Sequence, residues 1–247
     1  MSLRVIAIDG PAASGKSSTG AAVARRLGWA HLDSGALYRA ITLAALDNLG
    51  NEGRGTEQGW GPQQLVGLAE DLPVRLVLVD KVFRPEVAGV DVGEAIRSER
   101  VTRRVSALAA IPEVRHWVNV QQREAALEHP GGIVVDGRDI GTVVFPDAPL
   151  KIFLTASPAE RARRRLAQRG GGEGGGEGEG GGGVGRVDPE ELARETAALA
   201  ARDQADSTRR IAPLRPAADA VLLDTTRLSL EEQVARVVAL ARERFPA

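Results

Sequence analysis

Residues 3–18 read Leu3-Arg-Val-Ile-Ala-Ile8-Asp9-Gly10-Pro11-Ala12-Ala13-Ser14-Gly15-Lys16-Ser17-Ser18, and this stretch decides the fold. Leu3 to Ile8 is a short, β-branched, mostly apolar run, the composition of a buried parallel strand. The run Ser17 to Leu27 that follows holds the helix-forming Ala21, Ala22, Val23, Ala24 and Leu27, with Gly28 as a stop. Between them, Gly10 to Ser17 fits G-x-x-x-x-G-K-[ST] in the strand–loop–helix setting that makes the pattern credible. Glycines let backbone N–H groups turn inward onto phosphate oxygens, and the helix N-terminus adds partial positive charge. Lys16 has the reach for β- and γ-phosphates, and the Ser17 hydroxyl suits Mg²⁺. The pattern names a nucleoside triphosphate and leaves open what is done with it.

Working outward, Ile133-Val-Val135, Leu150-Lys-Ile-Phe-Leu154 and Ala220-Val-Leu-Leu223 have the same core-strand character. Helical segments are predicted near 157–169, over 189–204 and from Ser229 to Arg244. Strands alternating with helices give an α/β fold, a parallel sheet between two helical layers. Residues 36–130 break the alternation. They hold a helix (Ala36 to Leu46), a polar loop (Gly50 to Gly61), a β-rich patch (Val74 to Val79 and Val87 to Val92) and two helical segments (Gly93 to Leu108, Pro112 to Leu127). That is too long for one crossover and reads as a lobe inserted into the sheet domain. Gly170 to Gly185 is glycine with three Glu and one Val, a composition with no side chains for a core and expected to be a solvated loop. The organisation expected is one domain: a core (1–35, 131–168, 206–247), the inserted lobe (36–130) and a lid (169–205).

Composition narrows the field. The 247 residues suit one α/β domain and can bury a sizeable core without cross-links. Without cysteine there is neither disulfide nor Cys–zinc site. A net charge of −1 gives no basic field for nucleic acid or membrane, and no apolar run is long enough to span a bilayer. The N-terminal segment lacks a secretory pattern. The expectation is a cytoplasmic monomer. His31, His116 and His129 have no ligand spacing, so neither a His-metal site nor His catalysis is indicated.

Three local patterns suit a second phosphate. Asp33-Ser34-Gly35-x-x-Tyr38-Arg39 stands where the second strand ends, with Ser34 placed to cap the next helix and Arg39 near its first turns. As caps and core alone, these residues would need no ligand. Val134-Val-Asp136-Gly-Arg138-Asp139-Ile-Gly141-Thr142 is an apolar strand ending in Asp136, suited to Mg²⁺ or its waters, with Arg138 and Asp139 at the carboxyl end where open α/β sheets bind ligands. A plain turn with an internal ion pair is the bland alternative. Arginines are dense at 161, 163, 164, 165 and 169 and again at 202, 209 and 210, flanking the glycine run, so a closing lid is expected. A guanine-reading N-K-x-D is absent.

Taken together, the chain resembles the bacterial cytidylate kinases, within the nucleoside monophosphate kinases. IAIDGPAASGKS, LDSGALYRA, GVDVGEAIRSERV, SALAAIPEVR, VDGRDIGTVVFPDAPLKIFLTAS, ARDQADSTRRIAPL and AADAVLLDTT carry the likeness, which covers nearly the whole chain. The resemblance implies a phosphate-loop kinase fold and ATP-dependent phosphorylation of CMP and dCMP with Mg²⁺. It implies ATP phosphates held by Gly10 through Ser18, and an acceptor phosphate met by Arg39, Arg138 and Arg209. Cytosine would be read by Ser106, Arg115 and Asp139, and the ribose by Arg202 and Asp206. Ser34 and Tyr38 would line the acceptor site, and Arg164 would be the lid arginine. Gly170 to Gly185 departs from the family, whose lid is shorter and more varied. The rivals are a kinase for UMP, AMP or shikimate, and a nucleotide-dependent binding module.

Overall fold

The computed structural model describes residues 4–50, 59–129, 131–170 and 188–246. The glycine run, apart from the helix-terminal Gly170, lies outside them, as do the first three residues and most of the loop expected over 50–61.

The first strand, β1 (Val5–Asp9), is buried along its whole length and runs parallel to β6 (Ile133–Gly137) on one side and β7 (Leu150–Thr155) on the other. Outside β6 lies β2 (Ala30–Asp33), and outside β7 lies β8 (Val221–Asp224), both parallel. Period-two alternation sends Ile6 and Ile8 to one face of β1 and Val5 and Ala7 to the other. The first face packs under α1 (Lys16–Leu27) and α8 (Leu230–Arg244), in a core holding Val23, Trp29, Val234 and Val237. The second face packs with Leu32, Val135, Phe145 and with Ala125 and Ala126 of α5 (Pro112–Leu127). This is the two-sided cover that all-apolar strands require.

Local chemistry ends the helices where the sequence placed the stops. Gly28 is left-handed, and its N–H returns to Ala24 and Arg25. Ser229 and Glu232 form a capping box at the start of α8. Gly132 admits no side chain, because a Cβ there would stand 2.5 Å from the Trp29 ring.

Residues 36–130 differ from the reading in three ways. The β-rich patch is three strands, β3 (Arg75–Val79), β4 (Val82–Val87) and β5 (Val90–Asp91), turned at Asp80 and Lys81, both at positive φ. These strands continue the central sheet: β4 pairs β2 in parallel at His31 and Val82, giving the order β3-β4-β2-β6-β1-β7-β8 with β5 on β4. Pro62–Asp71 is a helix, α3, with proline in its first turn. The segment expected as one helix over 93–108 is a short 3₁₀ turn (Ala95–Arg97) followed by α4 (Glu99–Leu108). These elements and α2 (Gly35–Asn48) enclose a core of their own around Leu37, Ile41, Leu65, Ile96, Val105 and Val118, with Trp60 and Trp117 against it. The last helices of the site are α6 (Pro158–Gly170) and α7 (Pro189–Thr208).

Candidate active site

The carboxyl ends of β1, β2 and β6 bring Asp9, Asp33 and Asp136 to one edge of the sheet, with Asp33 in register with Asp136. The loop after β1 turns back over this edge. Gly10 is forced by close approach: a Cβ would lie 2.0 Å from the Leu154 carbonyl oxygen. Gly15 is left-handed and Lys16 opens α1. Lys16 is buried, with Nζ donating to the Pro11 carbonyl at 2.7 Å. Burial first, then the charge of Arg138, pulls its pKa well below the usual lysine range. Such a loop favours a polyanion, which would restore the ammonium charge. The buried Ser14 Oγ has no hydrogen-bond partner among the described residues, a second mark of a site shaped for added acceptor atoms.

Ser17 donates to Asp136 Oδ2 at 2.6 Å, so the hydroxyl and carboxylate that the sequence pairs across 119 positions do meet. The other carboxylate oxygen meets His31 Nε2 at 2.8 Å. Burial works against a charged His31, but the hydrogen bond to Asp136 and the charges of Asp136 and Asp33 outweigh it and raise its pKa. One hydroxyl and one carboxylate oxygen fit a hard cation that takes its remaining ligands from phosphate and water. Among the described residues no cluster of three or more acidic, His or Cys ligands could cage a metal unaided.

The acceptor-side residues converge from distant segments. Asp139 is buried between Arg115, which donates to Oδ2 through Nη2, and Arg209 at 3.5 Å from Oδ1. The Arg115 guanidinium also lies over the Tyr38 ring, 5.6 Å from its centroid. Burial pushes the Tyr38 hydroxyl up to about 12. Arg138 donates to Asp206 at 2.9 Å through Nε and to the Gly10 carbonyl at 2.7 Å. Arg202 has a buried Nε without a partner among the described residues, and its pKa falls to about 10 through burial and the nearby charges of Arg138 and Arg39. Burial likewise lowers Arg39, with Arg165, Arg97 and Arg138 adding to the crowding. Crowded, desolvated guanidinium groups of one sign call for an anion.

Three of the residues expected at the site have protein partners of their own. Ser34 sits at the cap of α2, but its side chain makes no capping bond. Asp33 Oδ1 takes the Gly35 N–H instead, at 2.9 Å. Arg39 Nη1 donates to the Ile96 carbonyl at 3.1 Å and to Thr102 Oγ1 at 3.0 Å. Arg164, expected as the lid arginine, stands on α6 against the phosphate loop. It donates to Thr225 O at 2.6 Å and Thr225 Oγ1 at 3.0 Å, beside the Ser14 carbonyl. Ser106 lies half-buried on α4. Two groups escaped the sequence reading. Asp9 accepts the Ile140 and Gly141 N–H groups, each at 2.8 Å, tying the phosphate strand to the turn that presents Asp139. Burial raises its pKa to about 6. Asp203 reaches the loop at Ala12. Its only local signal was a carboxylate beside Arg202 on a polar helix, which ordinarily marks a solvated face.

Sequence comparison agrees with this geometry. The family model described as Cytidylate kinase matches residues 6–243. A cytidylate kinase of Pseudomonas fluorescens (strain SBW25) is 43% identical over 239 residues, covering 95% of this chain and 93% of that one. A cytidylate kinase of Desulfitobacterium hafniense (strain Y51) is 46% identical over 243 residues, covering 97% and 93%. A chain matched from end to end at this identity, with its phosphate loop and arginine cluster on one sheet edge, belongs to the cytidylate kinase family.

Proposed function

We propose that this protein transfers the terminal phosphoryl group of ATP to CMP and dCMP, giving CDP and dCDP. Family membership supports the reaction class. The observation that carries the choice of base is Asp139, a buried carboxylate fixed by Arg115 and Arg209 beside the arginine cluster. A carboxylate accepts from the 4-amino group of cytosine, and Arg115 donates to ring acceptors. Uracil would turn a carbonyl toward Asp139.

In this reading the loop N–H groups and Lys16 hold the ATP phosphates, and Arg39, Arg138 and Arg209 hold the acceptor phosphate. Arg202 and Asp206 take the ribose, with Ser34, Tyr38 and Ser106 lining the pocket. An acceptor-phosphate oxygen bonds to the γ-phosphorus as the bond to the β–γ bridging oxygen breaks, and ADP leaves. The acceptor is already anionic, so no general base is needed; positioning and charge neutralisation do the work. Mg²⁺, when bound at Ser17 and Asp136, would supply charge neutralisation at the phosphates. Residues 36–130 act as the acceptor lobe, and residues 169–205 act as the lid, excluding water on closure. The enzyme works as a cytoplasmic monomer. Among the described residues no helix is long and apolar enough to cross a membrane.

A coupled assay with CMP, dCMP, UMP and AMP tests the reading. An unpaired buried polar group costs about 1–3 kcal/mol, so CMP is expected to exceed UMP by roughly one to two decades in kcat/KM. Equal use of CMP and UMP would remove the role given to Asp139. ATP consumption without any acceptor dependence would favour a binding module instead.

A further inference from the structure

Asp203 stands on α7 with its carboxylate turned to the phosphate loop. Oδ1 accepts the Ala12 N–H at 2.9 Å, and Oδ2 accepts Arg161 Nη1 at 2.5 Å. Arg161, from α6, donates to the Ala12 carbonyl at 3.0 Å and to the Ala156 carbonyl at 3.2 Å. One ion pair, its arginine buried and its carboxylate half-buried, therefore grips Ala12 by both its N–H and its C=O. Apolar packing backs the grip: Ala12, Ala162 and Leu199 are buried together, with Ala13 and Leu192 beside them. The next residue, Ala13, has φ 58°, a left-handed conformation that a non-glycine residue keeps only when its surroundings hold it there.

The same helix touches the loop a second time. Asp206 holds Arg138, which donates to the Gly10 carbonyl. Helix α7 also carries Arg202 and leads directly into Arg209. A helix tied to the loop at one point can pivot about it. Tied at Gly10 and at Ala12, its direction is set.

We propose that Asp203 and Arg161 are a positioning pair that locks α7 to the phosphate loop and so fixes the acceptor-side groups of α7 relative to the donor phosphates. The pair touches neither nucleotide. The inference rests on the phosphoryl-transfer reading above. In-line transfer is sensitive to placement, and a displacement of about 1 Å can lower a rate by roughly 10². Loss of the pair leaves the Arg138–Asp206 contact as a pivot, so ground-state binding persists while alignment is lost.

The test compares Asp203→Asn, Arg161→Lys and the double variant with the wild type in the full chain, by steady-state kinetics in ATP and CMP and by thermal melting. Asp203→Asn is expected to lower kcat roughly ten- to hundred-fold, with KM for CMP within about three-fold and a native melting transition. Arg161→Lys keeps the charge and loses the forked geometry, so a smaller fall in kcat is expected. In the double variant kcat should fall no further than in Asp203→Asn, because one unit has been removed. A purely structural role would lower Tm and leave kcat per folded molecule unchanged; that result overturns the proposal, as do losses that multiply in the double variant. If Asp203→Asn fails to fold, Arg161→Lys carries the same split of kcat against KM. A wild type that shows no CMP-dependent ADP formation would sink the reaction assignment itself, a result distinct from normal turnover in the variants.

Discussion

The two halves of the site are built in opposite ways. On the proposed donor side, the nine consecutive residues Gly10 to Ser18 carry the site, and the loop's charged group, Lys16, rests on a backbone carbonyl of the same loop. On the proposed acceptor side the charged groups come from α2, α5, the turn after β6, and α7 with its C-cap, and Arg115, Arg138, Arg209 and Asp139 among them lie in ion pairs. Arg115 and Arg209 share Asp139, and Arg138 binds Asp206. A donor-side charge can therefore be removed without stranding another. Removing a paired acceptor-side charge leaves its buried partner under-compensated.

That contrast can be broken most directly at Arg115. Arg115→Ala leaves Asp139 buried with only the distant Arg209, so a loss of about 3 kcal/mol is expected, a fall in Tm of roughly 6–12 °C for a chain of this size. CMP efficiency should fall with it, and an unchanged Tm would show that the acceptor pairs are not structural. Lys16→Ala is the counterpart. Turnover should drop about 10²–10³-fold while the melting transition stays, since Lys16 supports no core packing; near-normal turnover would end the donor-site assignment.

Asp9 joins the two halves and gives a pH signature. Its folded pKa of about 6 lies above the unfolded value of 3.8. The associated stability is complete below about pH 4 and is lost as pH rises through 6, on the order of 2–3 kcal/mol. Asp9→Asn lacks this term. The stability gap between wild type and variant, measured by denaturant melts, should shrink from pH 4 to pH 7; a constant gap would mean that the two backbone hydrogen bonds keep Asp9 ionised throughout.

The smallest effect concerns Gly170 to Gly185, whose only charges are acidic and of the wrong sign for phosphate. Replacing the run with a four-residue turn should leave KM for CMP within a few-fold, since shortening a loop changes closure entropy by only about 0.6 kcal/mol per halving. A loss of turnover as large as that in Arg209→Ala would give the run a function.

What could be read from the sequence follows the same division. The donor loop was legible because its chemistry is local: strand, glycines, Lys16 and helix occur in one run. The fold class was legible because buried parallel strands are apolar on both faces. Asp139 was legible from its place at a strand's carboxyl end, but Arg115 was reachable only through family resemblance, since nothing local ties residues 24 apart. The Asp203 contact with Ala12, across 191 positions, left no pattern at all. Strands β3 to β5 were seen as β-rich, but their place in the main sheet depends on a single bridge at His31 and Val82. Helix α3 was missed because its amphipathic turn follows a polar, glycine-rich loop and begins with a proline that reads as a breaker.

The placement of the three tryptophans separates these halves optically. Trp29 is 6% exposed in the sheet core, edge-on to Phe245 and beneath Arg4. Trp60 and Trp117 lie against the separate core of residues 36–130. Two single-tryptophan proteins, one keeping Trp29 and one keeping Trp117, would each emit from one half alone. Intrinsic fluorescence during denaturation or nucleotide titration would then tell whether the acceptor half loosens before the phosphate-binding half, without an added dye.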